Sequence, residues 1–196
     1  MKNIIKFIFV ISFIFNQSVF AFEKDAENFI IKTTSDAKNI ILNKSLDQKV
    51  KRKKLEDLAL KVVDTEGLAK YTLGEERKKI TEKQLAEYIN IFKIFFSKNL
   101  SSKLNDYSDQ EVSISGSKKI SENYVLVSSK IISKKDKQEI IVDWRIFLVN
   151  NKLVIRDLVV EGLSLARTQK EEFASIIANK GFDGLIQNLK DFNSKN

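Results

Sequence analysis

The stretch VDWRIFLVNNKLVIRDLVVEGLSLA, Val142 to Ala166, decides the fold class. Its first arm belongs to a run from Gln138 to Leu148. Val142, Trp144, Ile146 and Leu148 fall on one face of that run, and Ile141, Asp143, Arg145 and Phe147 on the other. Successive side chains of a strand point to opposite faces, so a period of two predicts a strand. The second arm, Lys152 to Glu161, sets Leu153, Ile155 and Val159 against Val154, Leu158 and Val160. Asn150-Asn151 between the arms suits a two-residue hairpin turn, because Asn tolerates positive φ. Both faces are largely apolar, whereas a sheet with one face in water alternates more cleanly. Either both faces are partly covered, or one lines an apolar cavity. In this register Arg145 stands opposite Arg156, a like-charge pair that needs a counter-charge.

Upstream, Val112 and Ile114 alternate with Ser113 and Ser115, and Tyr124 to Ile132 forms a further run. Lys134 to Lys137 makes a polar hairpin tip. The four runs predict an antiparallel meander. Residues 25 to 104 have the helical period instead. Ala26, Ile30, Thr33, Ala37, Ile40 and Ile41 share one face, and Leu46 to Val63 continues with Val50, Leu55, Leu58, Leu60 and Val62. Asp64 suits the cap of a short helix carrying Leu68, Ala69, Tyr71 and Leu73 and ending at Gly74. Thr81 and Gln84 form a capping box before a long helix with Leu85, Tyr88, Ile89, Phe92, Phe95, Phe96 and Leu100 on its apolar side. Two helices close the chain, Leu165 to Asn179 and Phe182 to Phe192, separated by Gly181. The class is α+β, with helices segregated against one sheet.

The N-terminus predicts an exported protein. Lys2 and Lys6 precede an apolar run from Ile4 to Phe15, and Val19-Phe20-Ala21 suits signal peptidase cleavage after Ala21. That run is about a dozen residues, short of the roughly 20 that span a bilayer. Residues 1–21 are thus expected to be a cleaved signal peptide and residues 22–196 a single domain, in the periplasm. The chain has no Cys and no Pro, so it has no disulfide and long helices are favoured. It carries a net charge of +8. For an exported protein that charge points to anionic membrane, anionic lipid or an acidic partner rather than to nucleic acid, or is equally the mark of a generally basic proteome. With no His and no Cys, the usual nucleophile pairs and most zinc sites are excluded. No glycine-rich phosphate loop is present, and no spacing of carboxylates or of Ser and Lys points to catalysis. An enzyme is not expected, nor a cofactor or metal.

Three stretches resemble the MlaC family of periplasmic phospholipid shuttles, also described as toluene-tolerance proteins. The first is VVDTEGLAKYTLG, Val62 to Gly74, an aspartate-led turn, a short helix and a Leu-Gly stop. The second and most specific is Val142 to Ala166, an acidic-aromatic-arginine strand, a hairpin, and the run Val-Glu-Gly-Leu-Ser-Leu. The third is RTQKEEFASIIANKGFDGLIQNL, Arg167 to Leu189, a helix, a glycine break and a final helix. Trp144 departs from the more usual Tyr or Phe, and Lys170 from a frequent Arg; apolar and basic character both survive.

The resemblance implies a helical layer packed on a strongly curved four-stranded antiparallel sheet, with an apolar acyl-chain cavity between them. It implies a phospholipid ligand, an outer-membrane lipoprotein-porin complex and an inner-membrane ABC-type complex as partners. Contact with the membrane surface would be transient. The role would be to support outer-membrane lipid asymmetry. A carrier for other hydrophobic cargo, such as lipoprotein acyl chains, uses the same residue types. The candidate sheet wall is Val142, Trp144, Ile146, Ile155 and Val159. The candidate helical wall is Tyr71, Phe92, Phe95 and Phe96, with Leu163 and Leu165 at the rim; all of these serve equally as ordinary core. Ser164 either caps the following helix or borders the mouth. Lys49, Lys51, Arg52, Lys53 and Lys54 are a docking surface for an acidic partner or membrane, or a solvated helix face. Asp143 and Asp157 are one answer to the Arg145 and Arg156 charges, and a lipid phosphate is the other.

Overall fold

The computed structural model describes residues 17–104, 110–133 and 137–195, with side chains from Ala21 onward. The apolar run Ile4 to Phe15 and most of the Lys134 to Lys137 tip lie outside the described residues.

Helix α1 (Gln17–Leu42) leads into α2 (Gln48–Val62) and α3 (Thr65–Leu73). A 3-10 turn, Gly74–Lys78, precedes the long α4 (Glu82–Leu104). Local chemistry sets the starts: Asp47 accepts from the Val50 N–H, and Asp64 from the Gly67 N–H. The capping box forms as expected, with Gln84 N–H donating to Thr81 Oγ1 and Thr81 N–H to Gln84 Oε1. The strands β1 (Gln110–Ser121), β2 (Tyr124–Ser133), β3 (Glu139–Val149) and β4 (Lys152–Val160) follow in meander order. Helix α5 (Leu165–Lys195) closes the chain and breaks at Gly181, whose φ of 71° only glycine adopts readily. Among the described residues no helix is long and apolar enough to cross a membrane.

The sheet has five strands instead of four. β5 (Leu163–Ser164) pairs with β4 through a tight turn at Glu161 and Gly162, both at positive φ. It is too short to show a period of two. The Asn150-Asn151 turn is as expected, with φ of 49° and 60°. β1 runs well beyond Val112–Ser115 and shifts register near Gly116 and again before Ser121. Such bulges bend and twist a strand, which curves the sheet.

A third register shift overturns two expectations. Ile155 faces Ile146, but Asp157 faces Arg145, so Arg156 is the extra residue of a bulge. Arg145 and Arg156 are therefore not opposed. Past the bulge the faces exchange: Leu158 and Val160 pair with Trp144 and Val142, while Val159 pairs with Asp143 on the other side. Val159 leaves the candidate sheet wall.

Two cores form. On the sheet side, α1 residues Ala26 and Ile30 bury against Val125, Val127, Val142, Trp144 and Ile146. On the helix side, Tyr88 and Phe92 of α4 pack with Ala69 and Leu73 of α3 and with Phe173, Leu185 and Leu189 of α5. Helix α1 also covers the edge strand. Glu23 accepts from the Lys119 N–H, Glu27 from the Ser117 hydroxyl, and Lys38 donates to the Gln110 carbonyl. Covering an edge in this way blocks pairing with another chain.

Candidate functional site

Between the two cores lies a cavity of about 360 Å³, within the roughly 300–1,000 Å³ usual for ligand sites. Trp144 and Ile155 come from the sheet side, and Phe92, Phe95, Phe96 and Leu100 from α4. Helix α2 supplies Leu55, Leu58, Ala59 and Val62, spaced at three and four residues on one face. Thr33, Thr34 and Ala37 of α1 and Leu165, Ala166 and Gln169 of α5 also line the cavity.

One side of the cavity is tied together through the backbone. The Val63–Ile155 bridge ties the α2–α3 corner to β4, and the Asp64 N–H donates to the Ile155 carbonyl. The bulge turns Arg156 toward Asp64, with Nε 2.8 Å from Oδ2. Gly67 makes room for this pair, because a Cβ there would fall on the Asp64 carboxylate. Arg156 also lies over the Phe147 ring, which stacks on Tyr124. Those contacts cover apolar side chains of the face turned away from the cavity. The alternative left open by the apolar pattern is thus resolved: one face meets the cavity and helices, and the other covers itself in part.

A second clamp holds the start of α5. Asp157 is buried and accepts from the Ser164 hydroxyl at 2.6 Å and the Ala166 N–H at 2.9 Å; Arg145 lies 3.2 Å away. Ser164 caps α5, accepting from the Arg167 N–H. The counter-charges of both arginines are therefore carboxylates, Asp157 for Arg145 and Asp64 for Arg156.

The candidate wall residues separate. Trp144, Ile155, Phe92, Phe95, Phe96 and Leu165 line the cavity. Val142 and Ile146 are buried in the sheet-side core. Tyr71 is 43% exposed, with the Lys170 ammonium over its ring. Leu163 is 64% exposed on β5, away from the lining. Val50 and Leu60, expected on the apolar face of α2, are exposed too, and Ala59 takes the inward place.

Trp144 is fixed in place. Its Nε1–H donates to Ser129 Oγ at 2.8 Å, and that hydroxyl donates to the Val142 carbonyl. In the helix-side core Tyr88 OH and Thr72 Oγ1 are 2.8 Å apart; burial pushes the Tyr88 phenol well above its ordinary range.

Of the basic residues on α2, Lys51 donates to the Ile41 carbonyl and Lys53 pairs with Asp57. Lys49 and Lys54 are exposed. The lining contributed by α1 and α2 was missed by the sequence reading. The Leu55, Leu58, Ala59, Val62 spacing was the available signal, blurred by the neighbouring Val50 and Leu60.

A family model described as MlaC protein matches residues 31–191. No curated protein sequence gives a significant match. Among solved structures, the chain is similar in fold to the phospholipid-binding protein from Ralstonia solanacearum, determined in complex with a phospholipid. That likeness has a TM-score of 0.73 at 19% identity and covers 87% of this chain and 97% of the other.

Proposed function

This chain belongs to the MlaC family, and from that premise we propose that it is a periplasmic carrier of phospholipid between the outer and inner membranes. The observation that carries this reading is the cavity between sheet and helices, walled by aliphatic and aromatic side chains from both. The solved relative in fold, described as phospholipid-binding, supports the same reading.

The physical need is large. Each methylene leaving water gains about 0.8 kcal/mol, so two acyl chains bare in water would cost on the order of 20 kcal/mol. A carrier hides the chains and leaves the charged head near solvent, where it needs no costly desolvation. Release requires that no tight cage surround the head. Catalysis has no part in this reading, and no cofactor is needed.

Export follows from the leader, with cleavage after Ala21. A chain starting at Phe22 keeps the α1 side chains described in the sheet-side core: Phe22, Ala26, Phe29 and Ile30. Docking to an inner-membrane ABC-type complex and an outer-membrane lipoprotein-porin complex would use the basic face of α2. The test is solvent extraction of the purified mature protein, with bound lipid identified by mass spectrometry. Phospholipid at a sizeable fraction of one per chain is expected. An empty protein that also fails to take up lipid from vesicles would overturn the reading.

A further inference from the structure

The cavity lining changes character along one face of α4. Phe92, Phe96, Asn99 and Lys103 stand three or four residues apart, so they share a stripe that runs from aromatic to polar. Among the described residues two cationic ones belong to the lining, Arg156 and Lys103. Arg156 is held by Asp64. Lys103 has no ion pair or hydrogen bond from its side chain among the described residues, and the Asn99 amide has none either. The two carboxylate residues described in the lining already accept other donors. Asp157 takes Ser164, the Ala166 N–H and Arg145, and Glu172 takes the Gln169 amide.

A cation with no partner among the described residues, at the polar end of an apolar cavity, suits an anion attached to an apolar body. We propose that Lys103 binds the phosphate of the lipid, with the acyl chains lying along the Phe92–Phe96 side. The assignment rests on the lipid-carrying reading. It also replaces the arginine pair of β3 and β4, whose charges are already met. Lys103 is exposed, so its stem follows the lining while the ammonium stays at the water boundary. A contact of that kind holds a phosphate without enclosing it, which suits a cargo that must leave. The rival role is purely structural: Lys103 sits in the last turn of α4, where a cation meets the negative end of the helix dipole.

The test is calorimetry on delipidated mature protein with a short-chain phosphatidylglycerol and with the diacylglycerol of the same acyl chains. The wild type is expected to prefer the phospholipid by about three- to tenfold, the range of a charge-assisted contact partly screened by water. Lys103→Gln should bring that ratio close to one, and Lys103→Arg should keep it. Lys180→Gln removes the same charge far along the chain on α5 and should keep it too. The assignment is overturned if Lys103→Gln retains the wild-type preference, as the structural role requires, or if Lys180→Gln loses it equally. Equal affinity of the wild type for both lipids would overturn this assignment alone. Binding of neither would overturn the carrier reading with it. Inorganic phosphate by itself should give no saturable heat; saturable binding lost in Lys103→Gln would assign Lys103 to a free anion instead.

Discussion

The sheet-side core and the helix-side core each bury one aromatic ring with a polar atom, and each satisfies it with a hydroxyl at 2.8 Å. Their surroundings differ. Trp144 sits in a ladder of strands whose backbone hydrogen bonds fix each neighbour. Tyr88 sits among rings, within 5.8 to 6.4 Å of Phe92, Phe173 and Phe182. The helix side is thus held by side-chain packing between separate helices. The sheet side is held by packing and by a continuous backbone ladder. The cavity is the seam between a stiff wall and a wall of rings that can repack, and a pocket that must admit and release an acyl chain needs one adaptable wall. Which wall tolerates change is therefore the measurable question.

The largest contrast comes from placing a carboxylate in each wall. Ile146 is fully buried, faces Val125 and Ile155 across the ladders, and lies off the cavity. Ile146→Asp leaves its charge without water or partner, at several kcal/mol against a total stability of about 5–15 kcal/mol. It is expected to abolish folding. Phe95 is half-buried and lines the cavity, so Phe95→Asp has water within reach. That variant should fold and lose lipid occupancy. Circular dichroism beside a lipid assay, with delipidated wild type as reference, checks both; a folded Ile146→Asp or an unfolded Phe95→Asp would reverse the ranking of the walls.

A smaller effect tests how far the helical wall is already open. Phe92 contacts the rings of Tyr88, Phe95, Phe96 and Phe173. Truncation of a buried Phe to Ala costs about 3–5 kcal/mol, part of it for the void left behind. Phe92 already borders open space on its cavity side, so Phe92→Ala should fall near about 3 kcal/mol by denaturant unfolding. A loss at the top of that range would mean the cavity is tightly closed around it.

What was legible in the sequence follows the same division. Local chemistry was readable: the Asp64 cap, the Thr81–Gln84 box, the Asn150-Asn151 turn and the Gly181 break depend on a few adjacent residues. The aromatic wall on α4 was readable because its period is long and regular. The Arg156 bulge was not. It exists because the Asp64 carboxylate, distant in sequence, draws the guanidinium out of the ladder, and an unbroken two-residue alternation gives no sign of that. The misplacement of Val159 follows from this one residue. Val142 and Ile146 share a face with Trp144, yet are buried in the sheet-side core and lie clear of the cavity. Face is written in the period of a strand, but depth under a helix is set by tertiary packing.

Replacing each of these buried rings by Phe gives two smaller effects that differ in their dependence on pH. Trp144→Phe deletes the bond to Ser129, whose hydroxyl keeps the Val142 carbonyl as acceptor. The hydrogen bond accounts for about 1 kcal/mol of the expected loss and the void left by the smaller ring adds to it; the loss, read by denaturant unfolding, is independent of pH.

Tyr88→Phe is expected to cost no more than about 1 kcal/mol at neutral pH, because Thr72 can still donate to the Ala69 carbonyl. Its distinguishing feature is alkaline. Burial holds the Tyr88 phenol above its ordinary value, with the Thr72 hydrogen bond acting in the opposite sense. The folded pKa thus exceeds the unfolded one of about 10. The unfolded chain loses that proton first as pH rises, so stability is fully present below about pH 10 and declines above it. Tyr88→Phe removes this contribution, so its deficit relative to wild type should shrink as pH climbs past 10. Trp144→Phe should keep a constant deficit over the same range. Unfolding free energies at pH 8, 10 and 11 would show the two lines diverging; parallel lines would mean that water reaches the Tyr88 hydroxyl and that the helix-side core is looser than its packing indicates.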